Sequence, residues 1–129
     1  MKKLPSWKFG NTKKESDELL SLVLLGKKKA TSSLYDSYTG KKATLPKIGN
    51  KSVITNSKNK AKCLVEVTRV TVKPFRKITK SFAFMEGEEN RSLVHWRKVH
   101  KNFFKKRLKE MKKRFNENIL VVCEEFKVL

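Results

Sequence analysis

The run AKCLVEVTRVTVKPF at residues 61–75 constrains the fold more than any other stretch of the chain. Its density of β-branched residues marks it as a strand. Cys63, Val65 and Val67 alternate as a strand with one buried face requires, and then the phase slips before Val70 and Val72. A bulge near Thr68 and Arg69 accounts for the slip, because one extra residue changes the phase and bends the strand. A bent strand of this length calls for a curved sheet. KSVIT precedes it across the polar turn NSKNK and reads as its hairpin partner, and ILVVCEEFKVL closes the chain as a buried strand.

Helical patterns separate these strands. In TKKESDELLSLVLLG, Thr12 and Glu15 fit a capping box, Leu19, Leu22 and Val23 line one face, and Gly26 is a natural stop. KKKATSSL then turns into a short strand, and residues 35–50, with Gly40, Pro46 and Gly49, read as a loop. ITKSFAFME predicts a short helix beginning at Thr79. SLVHWRKVHKNFFKKRLKEMKKRF predicts a long one with Leu93, Trp96, Phe103 and Met111 turned inward. The order of elements gives an α+β class, a small curved sheet or barrel flanked by helices. With 129 residues the chain has the length of one domain.

Charge limits the partner. Thirty-two Lys and Arg against 12 Asp and Glu give a formal charge of +20, which favours a polyanion and a salt-sensitive interaction. RNA, DNA and an anionic membrane surface all satisfy that condition. Eight Phe, two Trp and two Tyr exclude a disordered polycation. Lys105, Lys109, Lys112 and Lys113 recur at helical spacing and form a ridge able to track phosphates, or simply a solvated outer face. Trp7, Tyr35, Tyr38 and Trp96 are candidates for stacking on unpaired bases, Tyr35 and Tyr38 being favoured by their polar loop. Cys63 and Cys123 lie far apart in apolar runs and read as reduced thiols. His95 and His100 are five apart and point to different sides of a helix, so no zinc site is expected. MKKLPSWKFG has no apolar core behind its basic residues, and LLSLVLL is far below membrane-spanning length. The expectation is a cytoplasmic protein with no membrane contact.

Against this charge, three of the 12 acids, Glu86, Glu88 and Glu89, crowd into MEGEENRSLVHW. Glu88 and Glu89 suit the N-terminal end of the following helix, with Asn90 as its cap. Glu86 lies a turn further back and asks for another explanation. In GKKKATSS three consecutive lysines repel one another, so a partly buried one would have a lowered pKa and act as a base toward Thr31, Ser32 or Ser33. A carboxylate such as Glu86 would position it.

Taken in order, FG at Phe9–Gly10, ELLSLVLLGKKKATSS, LPKIGNKSV, CLVEVTRVTVKPF, FAFMEGEENRSLVHWRKVHKNFF and ILVVCEEFKVL resemble the ASCH domain family, which is built on a PUA-like fold. The resemblance covers nearly the whole chain, residues 1–129. The family's G-x-K-x-x-T element falls on Gly26, Lys28 and Thr31, and its acidic position on Glu86. The chain departs from the pattern at Lys29, where Thr is common, and at Glu89 and Asn90, which replace Gly and Asp. The resemblance implies a curved PUA-like β-barrel flanked by helices, with a cleft between the two elements that binds RNA or a modified nucleoside. Some small bacterial relatives are N4-acetylcytidine amidohydrolases that use Lys, Thr and Glu at the matching positions, and others are reported as ribonucleases.

Three functions follow as expectations. One is an RNA- or nucleoside-binding module lined by Lys28, Thr31, Glu86, Arg91 and Ser92, aided by Tyr35, Lys105 and Lys109. Another is amide hydrolysis by a catalytic Lys28–Thr31–Glu86 set, for which Lys28 must sit in the turn after Gly26 and be kept deprotonated by Lys27 and Lys29. The alternative is a ribonuclease, or a non-catalytic RNA-binding or interaction module. No cofactor is expected, and a divalent cation enters only with the ribonuclease.

Overall fold

The computed structural model describes residues 4–38, 45–88 and 90–129. Chain order runs β1 (Ser6–Trp7), α1 (Lys13–Leu24), β2 (Ala30–Leu34), β3 (Lys51–Thr55), β4 (Ala61–Pro74), α2 (Lys80–Glu86), α3 (Leu93–Glu110) and β5 (Leu120–Val128), with short 3₁₀ turns at Tyr35–Tyr38 and Phe75–Lys77. The predicted cap at Thr12 forms, and Thr79, the expected start of the second helix, caps it. Thr12 Oγ1 accepts from the Glu15 N–H at the start of α1, and Thr79 Oγ1 accepts from the Phe82 N–H at the start of α2. The cap of α3 is Ser92, not Asn90: Ser92 Oγ accepts from the His95 N–H, while Asn90 Oδ1 reaches only the Ser92 N–H, one step too early. Gly40 and Glu89 lie outside the described residues.

Among the described residues five strands make one mixed sheet in the order β1-β3-β4-β5-β2. The bulge falls where the valines change phase, between Val67 and Arg69. Before it Val67 lies opposite Phe126; after it Val70 lies opposite Glu124 and Val72 opposite Val122. Both valine sets therefore share one face, and the extra residue is what keeps them there. The expected barrel does not close. β1 is only two residues long, pairs in parallel with β3 alone, and forms one edge while β2 forms the other. A pair of residues supplies too few ladder hydrogen bonds to complete the ring.

Two cores sandwich the sheet. Ala30, Leu34, Val121 and Cys123 pack with Phe75, Phe82, Trp96, Phe104 and Leu108, under α2 and α3. Leu20 and Val23 of α1 pack with Phe9, Ile54, Val65 and Phe126. The inward side of α3 is centred on Trp96, His100, Phe104 and Leu108, with Leu93, Phe103 and Met111 half-buried at its margins. Cys63 and Cys123 are free thiols. No helix among the described residues is long and apolar enough to cross a membrane.

Candidate functional site

The turn that ends α1 aims Lys28 into the protein. Gly26 takes a left-handed conformation, and the Leu22 carbonyl accepts from both the Lys27 and Lys28 amides. The Lys29 N–H then donates to the Met85 carbonyl at 2.6 Å, which ties this turn to the end of α2. Lys28 is only 2% exposed. Its partners come from the reversal after α2, where Gly87 (φ +72°) ends the helix and returns Glu88 toward Glu86.

The Lys28 ammonium donates to Glu86 Oε1 at 2.8 Å, to the Glu86 carbonyl at 3.2 Å and to Glu88 Oε2 at 3.1 Å. An ammonium has three protons, so every one is committed. Glu86 Oε2 accepts from Ser32 Oγ at 2.6 Å and Trp96 Nε1 at 2.7 Å, and lies 3.3 Å from His100 Nε2. His100 stacks flat on Trp96, 4.2 Å between ring centres, and its Nδ1 lies 2.9 Å from the Trp96 carbonyl oxygen. Burial works against the charge on Lys28, but Glu86 and Glu88 outweigh it and hold its pKa above the ordinary value. The expectation of a deprotonated Lys28 is thus reversed. Lys27 and Lys29 are exposed and screened by water, whereas buried Glu86 and half-buried Glu88 lie against the ammonium. Burial likewise opposes ionised Glu86, and Lys28 with His100 brings its pKa well below the usual carboxylate range. For His100 burial opposes the charge, and Glu86 raises the pKa in spite of it.

Glu86, Glu88 and His100 bring ligand-type atoms within 4.8 Å of one another. The Lys28 ammonium already bridges Glu86 Oε1 and Glu88 Oε2, while His100 Nε2 faces Glu86 Oε2 and Glu88 Oε2, so a divalent ion held beside His100 would share Glu88 Oε2 with the ammonium. Glu88, assigned from the sequence to helix capping, belongs to this network instead.

The network floors a cavity of about 470 Å³. Trp7 of β1 and Thr31, Ser32 and Ser33 of β2 both line it, so the cavity occupies the seam where the sheet fails to close. Phe9, Tyr38, Phe103 and Arg107 surround it, and Glu124 enters from β5. Trp7 is fixed by its indole N–H to Ser52 Oγ at 2.9 Å, and Tyr38 Oη lies 2.8 Å from Ser33 Oγ. Lys28, Thr31 and Glu86 therefore share one cavity, as the sequence motif implied. Arg91, Ser92 and Tyr35 are not among its lining residues. Arg91 stacks on Phe84 at 3.6 Å and donates to the Phe84 and Lys27 carbonyls, a brace for the Lys28 turn. Lys105 and Lys109 are exposed on α3. Trp96 is core, with no free face for a base. His100 went unrecognised although it lies four residues after Trp96, the spacing that stacks two side chains on one helix face.

Among the described residues an open mixed sheet, three helices and a buried Lys–Glu pair below a seam cavity define an α+β domain, and the closed barrel expected from the motifs is not formed. The chain belongs to the ASCH domain family, whose model matches residues 5–129. It is similar to the crystal structure of an ASCH domain from Lactobacillus crispatus JV V101, with 33% identity over 97% of this chain and 79% of that one, at a TM-score of 0.92. It is also similar to a protein from Enterococcus faecalis V583, with 32% identity over 100% of this chain and 78% of that one, at a TM-score of 0.91. A hypothetical protein 23% identical, with a TM-score of 0.62 over 96% of this chain and 99% of that one, shares the fold alone. Among curated proteins none matches.

Proposed function

We propose that this protein binds RNA, taking an unpaired nucleobase, plain or modified, into the seam cavity while cations of α3 hold the adjoining phosphates. One observation carries the reading: the cavity, of nucleoside size at about 470 Å³, has aromatic walls and borders the basic helix through Arg107. Trp7, Phe9, Tyr38 and Phe103 supply faces and edges for a flat ring, and Arg107 at the cavity with exposed Lys106 beside it supplies cations on that side of α3, whereas Lys105 and Lys109, each two residues on from a lining residue, face away from it. Stacking gives such a site affinity for single strands, and the phosphate contacts give it salt dependence. Fluorescence anisotropy with a labelled single-stranded RNA across a salt series tests this. Affinity should fall linearly on a double-logarithmic plot, and Lys106→Gln with Arg107→Gln should reduce the slope by about 1.4. Absent binding at low salt, or a flat response, rejects the reading.

Amide hydrolysis at an acylated cytosine is a second reading, favoured because Lys28, Thr31 and Glu86 line a common cavity. Thr31 Oγ1 would attack the acyl carbonyl, Lys28 would relay the proton to the leaving amine, and water would then hydrolyse the Thr31 ester to release the acid and restore the hydroxyl. Lys28 can accept that proton only after losing one, so the ligand must first loosen its bonds to Glu86 and Glu88. Acetate release from N4-acetylcytidine, abolished by both Lys28→Met and Thr31→Val, is the expected result. No release from wild type leaves the binding function alone.

A further inference from the structure

Most of the polar groups around the cavity are already engaged. Lys28 has all three protons in hydrogen bonds, Glu86 is bonded through both oxygens, Ser32 donates to Glu86, and Ser33 is paired with Tyr38. Glu124 is different. Its carboxyl makes no hydrogen bond or ion pair among the described residues, and burial alone raises its pKa. Glu124 lies on β5 directly opposite Thr31 on β2, and both line the cavity. Cross-strand partners project to the same face, so the two present their oxygens to the same volume. A ligand that fills this volume strips water from the carboxyl. It must then supply a hydrogen-bond donor in place of that water or forfeit most of its affinity.

We propose that Glu124 is the base-recognition residue of this cavity, its carboxylate accepting the exocyclic amino group of an amino-bearing base such as cytosine and disfavouring uracil. The inference rests on the RNA-binding function proposed above. Cytosine and uracil are nearly the same size and stack alike, so the cavity walls do not separate them. They differ in what they offer a carboxylate: cytosine presents the N4 amino donor, whereas the corresponding uracil oxygen is an acceptor and repels it. Each unpaired polar group enclosed by the wrong base works against it.

The test compares labelled oligocytidine and oligouridine of equal length at fixed salt and mildly alkaline pH, where the carboxyl is ionised. Wild type should bind oligocytidine about tenfold more tightly. In Glu124→Leu the preference should fall to about twofold or less, as a pair lost from the base edge predicts. Glu124→Gln, similar in shape and able to turn either its oxygen or its amide nitrogen toward the base, should also lose most of it. Both variants should keep the wild-type salt slope and unfold cooperatively in urea, since Glu124 holds no structural partner. Wild type that binds neither oligomer overturns the RNA function and this inference with it. Binding by wild type without preference, or a tenfold preference retained in Glu124→Leu, overturns the role of Glu124 and leaves RNA binding standing.

Discussion

Replacing Glu86 by Gln should lower the unfolding free energy by about 3–5 kcal/mol, among the largest effects any single change in this chain can have. The substitution preserves shape and removes one charge. What remains is Lys28, 2% exposed, with its best partner gone. Glu88 still touches the ammonium at 3.1 Å, but its side chain is 21% exposed and compensates less, so the lower end of the range is expected. Lys28→Met added to Glu86→Gln should recover much of the loss, because removing both charges ends the desolvation cost that one alone incurs. Urea unfolding measures both effects as shifts in midpoint at constant slope. A loss under about 1 kcal/mol would mean that Lys28 is solvated, as exposed pairs are. The pH profile carries the same signature. Glu86 has a lowered folded pKa, so its stabilisation is complete above the ordinary carboxylate value of 4.5 and is lost as pH falls through the lowered one. Lys28 and His100 have raised values, so each contributes fully below its ordinary 10.5 or 6.5 and loses that contribution as pH rises through the raised one. Glu86→Gln should flatten the acid limb.

The parts of this structure legible in the sequence are those set by local rules. Valine spacing located the bulge between Val67 and Arg69 because side-chain phase along a strand is fixed by the pleat. Thr12 is recognisable as a cap, and Thr79 as a helix start, because a hydroxyl reaches only the amides two or three residues on. The failures were non-local. The sequence neighbours Lys27 and Lys29 predict a lowered pKa for Lys28, yet against burial its proton affinity is raised by Glu86, 58 residues away, and by Glu88. Glu88 looked like a helix-terminus acid until Gly87 returned it toward Lys28. The open seam depends on β1, and two residues, Ser6 and Trp7, carry no periodicity to read. Glu124 sat within a run predicted as strand, but its place beside Thr31 follows from the β2–β5 register. Thr31, Lys28 and Glu86 could be gathered in advance only through the family motif.

Gly87→Ala should destabilise the protein by several kcal/mol, about 3–5, and should do so by spreading the Lys28 turn away from the end of α2. Gly87 has φ +72°, a left-handed conformation that costs an L side chain about 1 kcal/mol by itself. Space is the larger problem. A Cβ there would fall 2.1 Å from the Lys27 carbonyl oxygen and 2.6 Å from its carbon, both backbone atoms that cannot rotate aside. Relief requires the Lys27–Lys28 backbone to retreat, which strains the Lys29 N–H bond to the Met85 carbonyl and the Arg91 bond to the Lys27 carbonyl. Lys28 would then be drawn off Glu86 and Glu88, so the steric cost carries part of the electrostatic cost with it. Gly26→Ala is the control. Its φ is +78°, nearly the same, but nothing lies within 4 Å of the added carbon, so only the conformational cost of about 1 kcal/mol should appear. Urea midpoints of the two variants, measured together, separate backbone conformation from close approach. Equal losses would mean that the gap between Gly87 and Lys27 relaxes freely. A larger loss at Gly87, with weaker RNA binding in the protein that remains folded, is the outcome expected if this contact holds the cavity floor in place.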